Sequence, residues 1–232
     1  MKIALYITLF NEYDNLTRIS NGCSFDNIDF YCITDLKEKT PGWNKMFVNN
    51  YIGNSYDKFA KTGKYYKLHP DKFFSDYDLN VYIDARVTSV DFERLMEHCN
   101  LLVNSDKSLL IPKLPKENTL EEINGIIQLR REKKETLIKQ YDGYIKEGFK
   151  DNIQLVQTNF QIRKSNNKEL KNFFEIWWNE IKYKSYRDQV SYAYSIWRSG
   201  FNKIKLISAD ERRKVTKFGN HRKAINDKMF GR

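Results

Sequence analysis

The chain has 232 residues, of which 41% are hydrophobic and 15% aromatic, so it can bury a sizeable core in one large domain. No run approaches the roughly eighteen consecutive apolar residues of a membrane-spanning helix, so no such helix is expected. The formal net charge of +10 favours an anionic partner: a nucleotide, a nucleic acid or an anionic membrane surface. Much of the excess lies in residues 203–232, a basic C-terminal segment.

The first half of the chain alternates predicted strands and helices. Apolar runs over 2–10, Ile28–Thr34 and 43–50 predict three strands. The first run lacks a small-residue cleavage site and leads into polar residues, so we expect a core strand there rather than a signal peptide. Residues 57–68 predict a basic helix that ends before Pro70.

The apolar run Leu79–Ile83 is rich in β-branched and aromatic residues and ends abruptly in Asp84-Ala85-Arg86. Buried parallel strands have this pattern. Ligands of open α/β sheets bind outside the carboxyl ends of the strands, so Asp84 is a candidate to face a ligand or a metal. The alternative is that Asp84 only caps the next turn.

The second half of the chain is mixed. Helical patterns cover 91–103, 169–181 and 187–198, and a capping box at Thr119 predicts a long charged helix towards residue 148, on which the run 130–135 is a solvated face. The aromatic stripe of the 169–181 helix indicates core rather than a sugar platform. Short strands are predicted at 108–111, 153–163 and 203–208. This order predicts an α/β fold with a mainly parallel sheet, in a single domain over residues 1–232.

The three cysteines, Cys23, Cys32 and Cys99, are an odd number without metal-ligand spacing. They favour buried thiols in a reducing cytoplasm over a disulfide framework. No glycine-rich phosphate loop, zinc-protease motif or serine nucleophile motif is present. The remaining candidates for chemistry are the acids at strand ends, four lysines before the central strand, a polar cluster and one late histidine: Asp35, Asp84, Lys58, Lys61, Lys64, Lys67, Arg187, Asp188, Gln189 and His221.

Two groups of residues resemble known proteins. Residues 4–8 with 13–16, and residues 30–35, resemble the first two strands of nucleotide-sugar glycosyltransferases of the GT-A fold. The chain resembles one family more specifically: the glycosyltransferase-like group, once a domain of unknown function, of plant wall-polysaccharide and bacterial surface-polysaccharide proteins. The blocks of that second resemblance are 67–70, 76–78, 82–85 and 187–191.

The resemblance implies a fold and an activity. The fold would be GT-A-like and Rossmann-like, with a mainly parallel central sheet flanked by helices. The activity would be that of a hexosyltransferase-like enzyme, which transfers a sugar from a UDP- or GDP-sugar to a glycan or lipid-linked acceptor in surface-polysaccharide synthesis. The cysteines predict a cytoplasmic location. In such an enzyme the basic C-terminal segment would either lie against an anionic membrane, as a peripheral contact, or hold the diphosphate. No nucleic acid is expected as a partner.

Asp84 matches the first acid of the Asp-x-Asp metal motif of GT-A enzymes, but Arg86 stands where the second acid belongs. Two ways of neutralising the leaving diphosphate are therefore open. Mn²⁺ or Mg²⁺ would be held by Asp84 and the late His221. Alternatively, Arg86 and nearby lysines would neutralise the diphosphate directly. Asp84 is the predicted catalytic residue under either alternative.

The resemblance also implies the donor contacts. Thr8, Asn11 and Asp35 would lie at the nucleoside, while Lys61 and Lys67 would reach the diphosphate. The alternative for these lysines is a solvated helix face.

On the acceptor side, the resemblance implies Asp188 as a second catalytic residue. It would act as a general base or hold an acceptor hydroxyl, beside Arg187 and Gln189. The alternative for Asp188 is capping of a helix N-terminus.

Two other functions compete with sugar transfer. One is a basic nucleic-acid-binding protein without sugar-transfer activity, in which charge and stacked aromatic side chains bind the partner. The other is an inactive GT-A-like module. The aromatic residues mostly follow core periodicities, which favours the glycosyltransferase.

Overall fold

A computed structural model describes residues 1–19 and 26–220, and its main feature is a seven-stranded sheet. The strands of this sheet are β1 (Ile3–Leu9), β2 (Ile28–Thr34), β3 (Asn44–Phe47), β4 (Leu79–Ile83), β6 (Leu109–Pro112), β7 (Phe160–Lys164) and β8 (Ile204–Ile207). Two further short strands, β5 (Val87–Val90) and β9 (Thr216–Phe218), pair with each other in a separate small sheet.

The strand order is β3-β2-β1-β4-β7-β6-β8, with β1 and β4 at the centre. All neighbouring strands run parallel except β7, which is antiparallel to both β4 and β6. Every residue of β4 is buried, as expected for a strand covered on both faces. The predicted mainly parallel α/β sheet in a single domain is confirmed.

Seven α-helices accompany the sheets in the described part of the chain. They are α1 (Lys58–Leu68), α2 (Phe92–Val103), α3 (Thr119–Gln128), α4 (Lys134–Lys146), α5 (Lys168–Tyr183), α6 (Asp188–Ser199) and α7 (Ala209–Val215). The short helix α7 and the β5–β9 pair were not predicted. Elements this short carry too little hydrophobic periodicity to be recognised in a sequence.

The predicted long helix from Thr119 towards residue 148 is wrong. The helix stops at Gln128, and Arg130 takes a left-handed φ of 51° before α4 begins. The interruption has a physical cause, because Glu132 is buried and accepts hydrogen bonds from Tyr56 Oη at 3.3 Å and from the hydroxyl of Ser185 at 3.3 Å. The run 130–135 is therefore mostly a connection rather than a solvated helix face.

Helix α3 also begins one residue earlier than predicted, at Thr119. Asn118, not Thr119, is the N-cap, and its side chain accepts from the backbone N–H of Glu121 at 2.9 Å. Asp151 accepts the backbone N–H of Thr119 at 2.9 Å. An Asn cap with a carboxylate at the first turn satisfies the exposed amide donors as well as a capping box does.

The core is divided between the two faces of the sheet. Odd-numbered residues of β1 pack with α2, whereas Ala4 and Tyr6 face an aromatic cluster that includes Phe74 and Tyr82. The stripe on α5 is buried as predicted: Phe173, Phe174, Trp177 and Trp178 are at most 5% exposed. Cys32 and Cys99 are buried free thiols, and Cys23 lies outside the described residues.

Candidate functional site

Three neighbouring parallel strands end at the same edge of the sheet and bring polar side chains together there. Thr8 lies near the end of β1, Asp35 directly follows β2, and Asp84 directly follows β4. These are the carboxyl ends of the strands, where α/β sheets bind ligands.

A hydrogen-bonded chain joins the ends of β1 and β4. The hydroxyls of Thr8 and Tyr82 lie 3.3 Å apart, and the Tyr82 hydroxyl donates to Asp84 Oδ1 at 3.0 Å. Burial and the neighbouring Asp84 carboxylate raise the pKa of Tyr82 well above its ordinary value, so this phenol stays protonated and remains a donor. The Asp84 carboxylate accepts no backbone N–H within the described residues, so turn capping does not explain it.

Asp188 is held by two lysines from a distant part of the chain. Its Oδ2 accepts from Lys64 Nζ at 2.7 Å and from Lys67 Nζ at 2.8 Å. These two positive charges keep the pKa of the buried Asp188 well below its usual range. An ionised carboxylate bound by two ammonium groups is a weak proton acceptor. Asp188 stays a predicted catalytic residue, but these contacts favour charge pairing over general-base catalysis.

Lys67 is fully enclosed, whereas Lys64 reaches the surface. The Lys67 side chain is 1% exposed and that of Lys64 is 24% exposed. Burial lowers the pKa of Lys67 to about 8, and the neighbouring Lys64 ammonium lowers it further. The Asp188 carboxylate raises this pKa but offsets the two effects only in part. The Lys67 ammonium also lies 4.8 Å from the centre of the Tyr82 ring, which links the Asp188 pair to the Asp84 chain.

The backbone of Lys67 is fixed as firmly as its side chain. Its carbonyl oxygen accepts from the Tyr6 hydroxyl at 2.8 Å and from the buried guanidinium of Arg163. Arg163 lies on β7, the one antiparallel strand of the main sheet. The charged groups of the site are thus held on a rigid frame.

Lys61 is in a different place from Lys67. Its ammonium pairs with Asp57 at 2.8 Å and donates to the carbonyl of Lys182 at 2.9 Å. It joins the start of α1 to the end of α5, and none of the described contacts connects it to Asp84. The role of Lys61 at the diphosphate stays a prediction without structural support. Lys64 was one of the four candidate lysines, but the resemblance did not assign it to the donor.

Asp35 fixes the loop after β1. Its carboxylate accepts the backbone N–H of Asn11 at 2.9 Å and 3.1 Å, and the hydroxyl of Tyr51 at 3.1 Å. Asn11 has a left-handed φ of 56°, a conformation that asparagine tolerates better than most residues. Asp35 and Asn11 are therefore together, as expected, and they shape the edge of the site.

The remaining predicted residues lie around this centre. The Arg86 guanidinium stacks 5.0 Å from the centre of the Phe218 ring. Gln189 donates from its side-chain amide to the carbonyl of Val156 at 3.3 Å. Arg187 donates to the backbone carbonyl of Arg131. His221 lies outside the described residues, so its predicted place in a metal shell stays a prediction.

The fit of a divalent cation can be judged from the available ligands. No group of three or more His, Cys, Asp or Glu side chains that could hold a metal occurs within residues 1–19 and 26–220. Asp84 supplies a single carboxylate, one oxygen of which is bound by Tyr82, while Mg²⁺ and Mn²⁺ prefer several oxygen ligands. The described side chains alone do not make up a metal site.

The residues at the carboxyl edge of the sheet lie within a region that matches a known protein family. The sequence matches the family described as TOD1/MUCI70, glycosyltransferase-like domain, over residues 7–221. The chain belongs to this family, whose matched region contains every candidate residue from Thr8 to Gln189. No curated protein matches the sequence.

Solved structures show more distant similarity. The bifunctional glycosyltransferase WbbM in its apo form is 13% identical, with 89% of this chain and 38% of that chain covered and a TM-score of 0.46. The galactosyltransferase LgtC, in complex with donor and acceptor sugar analogs, is 12% identical, with 88% and 72% covered and a TM-score of 0.44. Mouse xyloside xylosyltransferase 1 in its apo form is 5% identical, with 89% and 85% covered and a TM-score of 0.47. The chain thus spans 38% of the length of WbbM.

Within the described residues, the structure contains no helix with the length and apolar character needed to cross a membrane.

Proposed function

We propose that the chain is a glycosyltransferase that moves a hexosyl group from a UDP- or GDP-sugar to a glycan or lipid-linked acceptor in surface-polysaccharide synthesis. The observation that supports this proposal most directly is Asp84 at the carboxyl edge of the sheet, joined to Thr8 through Tyr82, in a chain of a glycosyltransferase-like family.

The chemistry assigns a task to each group. In sugar transfer an acceptor oxygen bonds to the anomeric carbon, the bond to the diphosphate oxygen breaks, and the proton of the acceptor hydroxyl passes to the leaving diphosphate or to solvent. Negative charge builds on the leaving diphosphate, and preorganised positive charge stabilises it. Lys64 is partly exposed and belongs to the Asp188 ion pairs. We assign it to the stabilisation of that charge. Asp84 would orient the donor, and Mn²⁺ or Mg²⁺ held by Asp84 and His221 stays a prediction.

Thermal unfolding of the full chain tests donor binding. UDP or GDP, with and without Mn²⁺, is expected to raise the melting temperature by about 5 °C or more at a concentration roughly 100 times the dissociation constant. Stabilisation only by oligonucleotides, lost steeply as salt is raised, would instead support the nucleic-acid-binding alternative. No stabilisation by either nucleotide would refute the proposed donor.

A basic cleft supports the proposed contact with an anionic membrane. It is open, has a volume of about 570 Å³, and lies between β5, α2, α7 and β9, and Asp84 is not among its lining residues. Arg94 and Arg213 at this cleft each pair with an acid of their own helix, but Lys214 and Lys217 have no ion-pair partner among the described residues. Lysines beside an anionic leaflet contribute about 1 kcal/mol each.

Sedimentation with lipid vesicles tests the membrane contact. The double variant Lys214→Ala/Lys217→Ala is expected to bind phosphatidylserine-containing vesicles at least about tenfold more weakly than the wild type. The matched control is Lys134→Ala/Lys139→Ala, which removes two exposed lysines of α4. Equal loss in both double variants would show that net charge alone, and not the basic cleft, holds the vesicle.

A further inference from the structure

Two arginines from distant parts of the chain stack on one phenyl ring. The guanidinium carbon of Arg86 lies 5.0 Å from the centre of the Phe218 ring, and that of Arg212 lies 5.1 Å from the same centre. Arg86 belongs to the turn after β4, whereas Arg212 belongs to α7. We call Arg86 and Arg212 the stacked arginines. The shared ring brings their two positive charges to one place in the fold.

Backbone contacts fix this place at the carboxyl edge of the sheet. The backbone N–H of Val87 donates to the carbonyl of Asp84 at 3.1 Å, which closes a tight turn with Arg86 inside it. The Arg86 carbonyl accepts from the N–H of Gly219, the residue after Phe218, at 2.9 Å. The ring and the Arg86 backbone are therefore held together two residues from Asp84.

Arg212 reaches the same edge of the sheet from α7. Its guanidinium donates to the side-chain oxygen of Gln157 at 3.4 Å and to the carbonyl of Thr216 at 3.3 Å, and both contacts are long for hydrogen bonds. Gln157 precedes Asn159 by two residues, and the Asn159 carbonyl accepts the backbone N–H of Asp84 at 3.0 Å. One short segment thus contacts both Arg212 and Asp84 at the end of β4.

The stacked arginines lack a counterion. Neither guanidinium forms an ion pair in the described part of the chain, and the Nε of each is shielded from solvent without a hydrogen-bond partner. The acids of α7 are engaged elsewhere, because Asp210 pairs with Arg213 and Glu211 forms the capping box with Ser208. Both stacked arginines are half-buried. Two half-buried positive charges without a carboxylate repel each other, so an anion from outside would stabilise them.

The two charges favour a ligand with at least two anionic groups. Burial lowers the pKa of Arg212, and the positive charges of Arg213 and Arg86 lower it further, but arginine stays protonated at neutral pH. Guanidinium groups bind phosphate oxygens through parallel hydrogen bonds, and both stacked arginines have N–H groups without acceptors. A diphosphate presents several anionic oxygens close together, so one diphosphate can engage both arginines.

We propose that the stacked arginines bind the diphosphate of the nucleotide-sugar donor. As the acceptor oxygen bonds to the anomeric carbon and the bond to the diphosphate oxygen breaks, the electron pair of that bond stays on the diphosphate. The two guanidinium groups stabilise this added charge. The inference rests on the proposed glycosyltransferase function. It adds Arg212 to the donor site and makes Phe218 the residue that positions both charges.

Calorimetric binding to the full chain tests this assignment, with Mn²⁺ present throughout so that any effect of the cation is common to all variants. The probes are UDP, GDP, uridine, guanosine, and farnesyl diphosphate as a short lipid-linked diphosphate. The wild type is expected to bind UDP or GDP at least about a hundredfold more tightly than the matching nucleoside, because charge-assisted hydrogen bonds from each arginine contribute about tenfold.

Removing either charge should affect the diphosphate alone. Arg212→Met and Arg86→Met keep an apolar stem against Phe218, and each is expected to lose about tenfold in affinity for the nucleoside diphosphate. Affinity for the nucleoside should stay at the wild-type value, which a general loss of structure would not allow. Arg212→Lys should fall between the wild type and Arg212→Met, because lysine retains the charge without the planar guanidinium.

Arg198→Met is the matched control, since it removes one positive charge from an exposed position on α6. Its affinity for the nucleoside diphosphate should equal that of the wild type. The melting temperature of each variant is recorded to show that the chain is folded.

Three results would overturn the assignment of the stacked arginines. The first is wild-type diphosphate affinity in folded Arg212→Met, and the second is an equal loss in Arg198→Met. The third is a wild type that binds farnesyl diphosphate and neither nucleotide, because the stacked arginines would then belong to a lipid-linked acceptor.

Measurement of sugar transfer separates this inference from the proposed function. Transfer at the wild-type rate by Arg212→Met would refute the role of the stacked arginines and leave the proposed function intact. Nucleotide binding that depends on Arg212, without transfer from any UDP- or GDP-sugar, would refute the proposed function and leave the diphosphate site standing.

Discussion

Replacing Asp84 with asparagine is expected to lower the rate of sugar transfer at least about a hundredfold, the typical effect of removing one preorganised electrostatic contact. The fold should survive, because the amide oxygen of asparagine can still accept from the Tyr82 hydroxyl, which now donates to Asp84 at 3.0 Å. The measurement is release of nucleoside diphosphate from UDP- and GDP-sugars, with the melting temperature recorded beside it.

Two further variants sharpen this experiment. Tyr82→Phe removes the hydroxyl that joins Thr8 to Asp84, and a loss smaller than that of Asp84→Asn is expected because the carboxylate remains. Asp76→Asn changes an exposed acid that precedes the same strand, and it should transfer sugar at the wild-type rate. Full turnover by Asp84→Asn would contradict the assignment of the donor site to the carboxyl end of β4.

Replacing Asp188 with alanine is expected to destabilise the protein by about 3–5 kcal/mol, the usual effect of removing one partner of a buried ion pair. The loss is large because Lys64 and Lys67 would lose their shared counterion, and the buried Lys67 would then either stay charged without a partner or give up its proton. Typical domains have a total stability of only about 5–15 kcal/mol, so chemical denaturation will resolve the change easily.

The stability of wild type and Asp188→Ala at acidic pH gives a further test of the same ion pairs. The folded state holds the pKa of Asp188 well below its ordinary value of 3.8, so the carboxylate contributes its full stability above that value and loses it as the pH falls further. The difference in stability between wild type and Asp188→Ala should begin to shrink below about pH 4, where the carboxylate of the unfolded chain becomes protonated.

A charge-free variant separates pairing from packing. In Lys64→Met/Lys67→Met/Asp188→Leu all three charges are replaced by apolar groups of similar size, so most of the lost stability should return. If Asp188→Ala proves as stable as the wild type, the carboxylate is not the counterion of these lysines. If the triple variant is stable but inactive, the charges serve sugar transfer rather than folding.

Local sequence signals were sufficient for the strands that form the candidate site. The apolar runs of β1, β2 and β4 and the acid after β4 were all readable, because a buried parallel strand leaves a continuous hydrophobic run. The antiparallel direction of β7 was not readable, since hydrophobicity does not encode strand direction. The break at Gln128 depended on the burial of Glu132 by Tyr56, which is 76 residues away.

The lysines of α1 also show which contacts a sequence can predict, because one of their ion pairs is local and the other two join distant residues. Lys61, Lys64 and Lys67 are three residues apart, so helical spacing alone does not choose among them. Asp57 lies four residues before Lys61, and this spacing is a local signal for the ion pair between them. The partner of Lys64 and Lys67 is more than 120 residues away and has no local signature.

The double attachment of Lys67 has a consequence for biosynthesis. During synthesis the Lys67 carbonyl can bind Arg163, and the Lys67 ammonium can bind Asp188, only after those residues have been made. Asp188 follows Lys67 by 121 residues. At about 5–20 residues per second, a ribosome needs roughly 6–24 s to supply that counterion. During this interval Lys64 and Lys67 lack the carboxylate of Asp188. The ion pairs of the site therefore form only when the last quarter of the chain is being made.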